Sequence, residues 1–133
     1  MESRTVFIID DDKFLSDMYS LKFTQAGFII DTAGSGVEAL AKLGTGYNPT
    51  VILLDIVMPV MDGFEFLEEL RKKKMAKSSA VIILSNLCQK DDIEKGMKLG
   101  IDGYIVKASC TTSEVLAKVE EVLKKNKKDG LQA

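Results

Sequence analysis

The sequence contains no histidine and only two cysteines in 133 residues. Without histidine, the chain cannot supply a Ser-His-Asp triad, a Cys-His nucleophile, an HExxH metalloprotease site or a histidine-ligated zinc site. Any imidazole that a reaction needs must come from another molecule. Cys88 and Cys110 are too far apart in the sequence for a CxxC motif, which argues against a redox dithiol and a zinc knuckle.

The sequence also lacks a strong excess of charge and any long apolar run. Eighteen Lys and Arg residues against twenty Asp and Glu residues leave a net charge of −2, whereas domains that bind nucleic acid are usually strongly basic. The apolar runs are far shorter than a membrane span, and the start of the sequence does not have the pattern of a signal peptide. These absences and the two isolated thiols predict a soluble cytoplasmic protein without a nucleic-acid or membrane partner.

The sequence does contain a regular alternation of two patterns. Short, mostly apolar runs predict five strands at residues 5–9, 28–33, 50–54, 80–84 and 103–106. Each run is followed by a segment with helical spacing of apolar residues. Two of these segments begin with a capping-box pair, Ser35 with Glu38 and Thr111 with Glu114. Strict strand–helix alternation predicts one α/β domain built on a doubly wound parallel sheet.

Polar residues follow four of the five predicted strands. The first, third, fourth and fifth strands are followed by Asp10-Asp11-Asp12, Asp55, Ser85 and Lys107. The carboxyl ends of the strands in a doubly wound sheet share one edge, and ligands bind at that edge. We therefore expect several carboxylates, one hydroxyl and one ammonium group to meet there. The alternative for the Asp10-Asp11-Asp12 run is that it caps the first helix.

This combination of side chains indicates metal-assisted phosphoryl chemistry. Neighbouring carboxylates repel one another unless a cation joins them, and an all-oxygen site favours a hard ion such as Mg²⁺. A carboxylate beside Mg²⁺ and an ammonium group can act as a nucleophile toward phosphorus. The sequence contains neither GxxxxGK[ST] nor GxGxxG, the motifs of nucleotide-binding loops. We therefore expect the phosphoryl group to arrive on a small donor or on a partner protein.

These motifs resemble the receiver domains of bacterial two-component response regulators, and the resemblance covers residues 4–125. The matching segments are Val6-Phe7-Ile8-Ile9-Asp10-Asp11, Leu54-Asp55-Ile56-Val57-Met58-Pro59, Met61-Asp62-Gly63, Ser85 and Gly103-Tyr104-Ile105-Val106-Lys107. The resemblance implies a flavodoxin-like fold with five helices and strand order 2-1-3-4-5. It also implies a receiver domain over residues 1–128, followed by a C-terminal tail or the start of a linker at residues 129–133.

The resemblance implies a phosphorylation-dependent signalling switch rather than a turnover enzyme. Asp55 matches the residue that accepts a phosphoryl group from the phosphohistidine of a sensor histidine kinase or histidine phosphotransfer protein. Asp10, Asp11, Asp55 and the backbone carbonyl of Val57 match the ligands of Mg²⁺, with Mn²⁺ as an alternative ion. The donor histidine would belong to the partner, which agrees with its absence from this chain.

Three further residues match positions that respond to phosphorylation in this family. Lys107 matches the lysine that pairs with the phosphorylated carboxylate, and Ser85 matches the hydroxyl that bonds a phosphoryl oxygen. Tyr104 matches the aromatic residue that moves inward behind that hydroxyl; the alternative is a static, half-buried tyrosine. Many receivers have a cis peptide before a proline that follows the lysine, but here the pair is Lys107-Ala108. We expect a trans peptide, because a cis bond before a non-proline residue costs about 3 kcal/mol; the alternative is a strained cis bond that the surrounding structure holds.

The resemblance also predicts a slow loss of the phosphoryl group. Val57 and Leu87 lie two residues after Asp55 and Ser85, at positions that flank the path of the hydrolytic water in this family. Their apolar side chains cannot orient that water.

Several alternatives stay open at this point. Phe14 and Leu21 lie on the flank of the first predicted helix, where they either extend the edge of the core or form a docking surface for the kinase. An aspartyl-phosphate phosphatase would use the same nucleophile, but it typically needs a carboxylate where Val57 stands. A pseudo-receiver that is never phosphorylated is a second alternative. The sequence does not identify the kinase or the downstream target. It also does not distinguish a stand-alone protein from a multidomain one, or a monomer from a phosphorylation-dependent dimer.

Overall fold

The computed structural model describes residues 3–132, and it describes the side chains of residues 3–126. Strands and helices alternate along this range. The strands are β1 (Thr5–Ile9), β2 (Ile29–Ala33), β3 (Val51–Leu54), β4 (Ala80–Ser85) and β5 (Gly103–Val106). The helices are α1 (Lys13–Gln25), α2 (Gly36–Leu43), α3 (Gly63–Lys72), α4 (Lys90–Lys98) and α5 (Thr112–Gln132), with a 3-10 helix over Lys107–Ser109.

The five strands form one parallel sheet in the order β2-β1-β3-β4-β5. This order confirms the predicted flavodoxin-like, doubly wound fold with five helices. The chain adds β2 on one side of β1 and then returns to add β3 on the other side. The direction of winding therefore reverses at β1, and ligand sites of such folds lie beyond the carboxyl ends of the strands at this point.

Helices cover both faces of the sheet, which explains why the strands are apolar without alternation. Phe7 and Ile9 of β1 belong to a core cluster that includes residues of α2 and α3. Val6 and Ile8 belong to a second cluster, on α1 and α5. All four side chains are at most 1 % exposed. The sheet is therefore held rigidly between two packed layers, and its carboxyl edge is a fixed platform.

The predicted element ends differ from the structure by about one residue. β2 begins at Ile29 and not at residue 28, because the N–H of Phe28 donates to the carbonyl of Phe23 at 3.0 Å in the turn that closes α1. β3 begins at Val51, and β4 continues through Ser85. α5 continues to Gln132, past residue 128, and the division of the chain at residue 128 stays a prediction.

One predicted capping box is complete and the other is not. Thr111 Oγ1 accepts the N–H of Glu114 at 3.1 Å, and the Glu114 carboxylate accepts the N–H of Thr111 at 2.9 Å. Ser35 Oγ likewise accepts the N–H of Glu38, but the Glu38 carboxylate accepts the N–H of Gly34 at 3.2 Å. The second half of the predicted box at Ser35 is therefore replaced by a contact one residue earlier.

The outer side of α1 is apolar and exposed. Phe14 and Leu21 are 72 % and 63 % exposed, whereas Tyr19 and Phe23 pack into the core. The interpretation that Phe14 and Leu21 extend the edge of the core is therefore wrong, and the docking interpretation stays a prediction. None of the helices within residues 3–132 has the length and apolar composition needed to cross a membrane.

Val60, in the loop between β3 and α3, has a strained backbone. Its φ angle is 70°, in the left-handed region that β-branched residues avoid. Its side chain is 95 % exposed, so buried packing does not offset the strain.

We expect Val60→Asn to raise the free energy of unfolding by about 1 kcal/mol, because asparagine tolerates the left-handed conformation. Denaturant unfolding followed by circular dichroism measures this change. Val60→Ala is the matched control: it removes the β-branch but lacks the polar side chain that lets asparagine tolerate this conformation, so it should gain less. A loss of stability in Val60→Asn would contradict the assignment of strain.

Candidate functional site

The carboxyl edge of the sheet brings the predicted site residues together. Asp10 directly follows β1, Asp55 follows β3, Ser85 ends β4 and Lys107 follows β5. The N–H of Asp55 donates to the carbonyl of Ile9 at 3.0 Å, which continues the ladder between β1 and β3 by one residue. The backbone at Asp55 is therefore held by the sheet and not by a free loop.

Three carboxylates form an acidic cluster at this edge. One oxygen from each of Asp10, Asp11 and Asp55 lies within 4.8 Å of the other two. Asp10 and Asp55 are 5 % and 8 % exposed, whereas Asp11 is open to solvent. The next residue, Asp12, caps α1 instead, since its carboxylate accepts the N–H of Leu15 at 3.1 Å. The run of aspartates thus divides between the cluster and the helix cap.

The ammonium group of Lys107 joins the two buried carboxylates. Its Nζ donates to Asp10 Oδ2 at 2.6 Å and to Asp55 Oδ2 at 3.1 Å. The Lys107 side chain is only 9 % exposed. A cation between two buried carboxylates offsets their mutual repulsion, so this lysine stabilises the cluster as it stands.

The loop after β3 closes around Asp55. The N–H of Val57 donates to Asp55 Oδ1 at 3.3 Å, and the Val57 side chain is 62 % exposed. Gly63 begins α3 directly against this backbone, because a Cβ atom on it would lie 2.5 Å from the carbonyl oxygen of Asp55. Position 63 therefore requires glycine. The role of the Val57 carbonyl as a metal ligand stays a prediction.

The two predicted switch residues both contact Leu87, in the β4–α4 loop. Ser85 is fully buried, and its Oγ accepts the N–H of Leu87 at 3.3 Å. The hydroxyl of Tyr104 donates to the carbonyl of Leu87. Leu87 thus connects the hydroxyl at the end of β4 to the aromatic ring on β5.

Asn86 was not predicted as a site residue. It follows Ser85, and its Oδ1 accepts the N–H of Ala108 at 2.7 Å. Residues 3–132 contain no cis peptide bond, so the Lys107-Ala108 peptide is trans, as expected. No local sequence signal pairs residue 86 with residue 108. The adjacency of β4 and β5 does so, because Ser85 and Val106 are partners in the sheet.

Comparison with known proteins agrees with this fold. Residues 6–120 match the family described as the response regulator receiver domain. The chain belongs to this family. The resemblance seen in the sequence motifs is thereby confirmed. Receiver domains are signalling domains of two-component systems, not turnover enzymes, and Mg²⁺ binding through acidic residues is typical of them.

The relatives of this receiver domain include one longer regulator and two chemotaxis proteins. The DNA-binding dual master transcriptional regulator RpaA of Synechocystis sp. is 32 % identical over 120 residues, which are 90 % of this chain and 49 % of RpaA. Chemotaxis protein CheY of Halobacterium salinarum is 31 % identical over 105 residues, 79 % of this chain and 85 % of that protein. The solved structure of Vibrio cholerae CheY4 has a TM-score of 0.82 at 30 % identity, and the match covers 91 % of this chain and 99 % of CheY4. This receiver domain therefore spans about half the length of RpaA and most of the length of the chemotaxis proteins.

Burial and charge act in opposite directions on the receiver's central ion pair. Burial raises the pKa of Asp10 above its ordinary value, although hydrogen bonds from Lys107 and from the N–H of Asp12 act to lower it. Burial alone would lower the pKa of Lys107. The hydrogen bond to Asp10 and the charges of Asp55 and Asp10 outweigh burial, so the pKa of Lys107 is raised. The lysine therefore stays charged between its two partners.

The raised pKa values of the tyrosines predict that the stability of the fold depends on pH. Burial raises the pKa of Tyr104 and of Tyr47 to about 12, and it also raises the pKa of Tyr19. We expect the folded protein to form phenolate at higher pH than the unfolded chain, whose tyrosines titrate at about 10. The unfolded state then releases these protons first, so stability is complete below about pH 10 and falls as pH rises toward about 12.

Phenolate absorbance measures this titration directly, since the chain has no tryptophan to interfere. Tyr104→Phe is the control, and it should remove one of the transitions that occur at about pH 12 in the folded protein. Identical titration curves for the folded protein and for the protein in denaturant would contradict the burial of the phenols.

Proposed function

We propose that this receiver domain is a phosphorylation-dependent switch in a two-component phosphorelay. Asp55 accepts a phosphoryl group from a phosphohistidine of a sensor histidine kinase or of a histidine phosphotransfer protein. The observation that carries this proposal is the placement of Asp55: its carboxylate is buried, lies in a cluster with Asp10 and Asp11, and accepts a hydrogen bond from Lys107 at 3.1 Å.

The transfer forms one bond and breaks another. A carboxylate oxygen of Asp55 attacks phosphorus, and the bond between phosphorus and the donor's imidazole nitrogen breaks. The imidazole keeps the electron pair and takes up a proton from solvent. The carboxylate is ready to attack because it is held by the N–H of Val57 and by the ammonium group of Lys107, which also offsets charge on the phosphoryl oxygens.

The acidic cluster fits a divalent hard cation. Carboxylate and carbonyl oxygens are the ligands that Mg²⁺ prefers, and Asp10, Asp11, Asp55 and the carbonyl of Val57 would hold it, with Mn²⁺ as an alternative ion. When bound, the ion supplies positive charge beside the phosphoryl oxygens.

The response to phosphorylation passes through the β4–α4 loop. The Ser85 hydroxyl, which now accepts the N–H of Leu87, gives up this contact and donates to a phosphoryl oxygen instead. Tyr104 then moves together with Leu87, because its hydroxyl donates to the carbonyl of that residue. A phosphoryl group shifts this equilibrium only through contacts that differ between the two states.

The partners follow from this chemistry. The donor is a protein that carries phosphohistidine, and the downstream target recognises the changed surface. RpaA is a DNA-binding regulator of about twice this length, but this chain's receiver region carries no strong positive charge, so direct nucleic-acid binding is not proposed for it. A cytoplasmic location and a monomer or phosphorylation-dependent dimer stay predictions.

Phosphorylation is tested by intact mass spectrometry after incubation with acetyl phosphate and Mg²⁺. We expect the wild type to gain the mass of one phosphoryl group and Asp55→Asn to gain none, because a carboxamide is not a comparable nucleophile. Asp12→Asn is the matched control: it makes the same chemical change at the helix cap, where asparagine also caps well, and should be phosphorylated normally.

Two outcomes would overturn the proposal. A wild type that fails to take up acetyl phosphate or beryllofluoride in the presence of Mg²⁺ would be a pseudo-receiver. Turnover of a generic phosphomonoester would indicate the phosphatase alternative.

The lifetime of the phosphorylated state gives a second prediction. Val57 is exposed beside Asp55, Leu87 is partly buried in the β4–α4 loop, and neither apolar side chain can orient water. We expect the double variant Val57→Asn with Leu87→Glu to lose its phosphoryl group about tenfold faster. This is less than the roughly hundredfold that a positioned acid or base contributes, because the new side chains would only orient the water. A phosphate-release assay on phosphorylated protein measures this rate, and equal rates in wild type and double variant would disprove the idea.

A further inference from the structure

A hydrogen bond connects the two loops that carry Ser85 and Lys107. The N–H of Ala108 donates to Asn86 Oδ1 at 2.7 Å, and both residues are exposed. Because a backbone N–H can only donate, the oxygen of the Asn86 amide must face Ala108. The N–H groups in the first turn of a helix have no acceptor within that helix. Asn86 therefore caps the 3-10 helix Lys107–Ser109 from a neighbouring loop.

Each partner of this bond adjoins a residue of the candidate site. Ser85 and Val106 are the last pair between β4 and β5, and beyond them the two chains separate into the β4–α4 loop and the 3-10 helix. The bond between Asn86 and Ala108 continues the connection one step further. It requires the N–H of residue 108, which a proline at this position would lack.

The present side-chain contacts of the two site residues do not connect their loops. Lys107 Nζ donates to the carboxylates after β1 and β3, and Ser85 Oγ accepts an N–H of its own loop. In the proposed function both side chains must reach one phosphoryl group on Asp55. The relative position of the two loops therefore matters for binding that group.

We propose that Asn86 is a positioning residue. It holds the β4–α4 loop and the 3-10 helix in a fixed relative position, so that the side chains of Ser85 and Lys107 meet the same phosphoryl group. This role rests on the proposed function of Asp55. Asn86 acts through Ala108 and does not itself touch the phosphoryl group. Because the bond is exposed, its loss should have little effect on global stability.

The test removes the bond from either side. Asn86→Ala removes the acceptor and Ala108→Pro removes the donor, whereas Ala108→Gly keeps the donor. Cys88→Ala is a second control, at an exposed position of the same loop. Titration calorimetry with beryllofluoride in the presence of Mg²⁺ measures the affinity for a phosphoryl analogue, and thermal unfolding checks that each variant is folded.

We expect Asn86→Ala and Ala108→Pro each to weaken beryllofluoride binding about fivefold, the usual worth of one hydrogen bond. The double variant should be no weaker than either single variant, because all three lack the same bond. Both controls should bind like the wild type. If Ala108→Pro does not fold, the comparison of Asn86→Ala with Cys88→Ala still decides the matter.

A second measurement needs neither metal nor phosphoryl analogue. Hydrogen exchange of the Ala108 amide in metal-free protein should be faster in Asn86→Ala and unchanged in Cys88→Ala. Unchanged exchange in Asn86→Ala, equal or tighter beryllofluoride binding by that variant, or additive losses in the double variant would each overturn the positioning role. A wild type that binds no beryllofluoride would overturn the proposed function, and the positioning role with it.

Discussion

The burial of Lys107 between Asp10 and Asp55 is the interaction on which the site depends. Two carboxylates that are 5 % and 8 % exposed can both stay ionised close together only with positive charge between them. Burial by itself acts against the charged forms of Asp10 and Lys107. The contacts with the carboxylates outweigh burial for the lysine, so its pKa is raised, and they only partly offset burial for Asp10, whose pKa is also raised. Any cation or phosphoryl group that enters the cluster must share these oxygens with the lysine. The site is therefore already assembled around its own counter-ion.

The sheet supplies the rigidity that this cluster needs. Asp10 and Asp55 follow β1 and β3, which are neighbours, and the strands before them are buried on both faces. Lys107 directly follows β5, which lies two strands away from β3, and its long side chain covers that distance. Gly63 brings the start of α3 against the backbone of Asp55. The charged groups are thus placed by packed strands and a helix, whereas the contacts of Asn86 and Leu87 lie in a loop.

Hydrogen bonds of the β4–α4 loop connect the candidate site to β5 and to the 3-10 helix. Leu87 accepts the hydroxyl of Tyr104 and donates its N–H to Ser85, while Asn86 accepts the N–H of Ala108. These contacts are few and partly exposed, so they can be exchanged at low cost in free energy. A rigid charged platform beside a loop with exchangeable contacts is an arrangement that suits a two-state switch.

The sequence by itself determined the strand–helix alternation, the apolar strands and the residue types at the strand ends, because these signals are local and periodic. It also determined that Asp10, Asp11, Asp55, Ser85 and Lys107 lie at one edge of the sheet, since parallel strands place their carboxyl ends together. Only the tertiary structure decided that Asp12 caps a helix, that Phe14 and Leu21 face outward, and that Asn86 meets Ala108. Such outcomes depend on how a helix is rotated against the sheet and on which loops lie side by side, and these are properties of packing between segments distant in sequence.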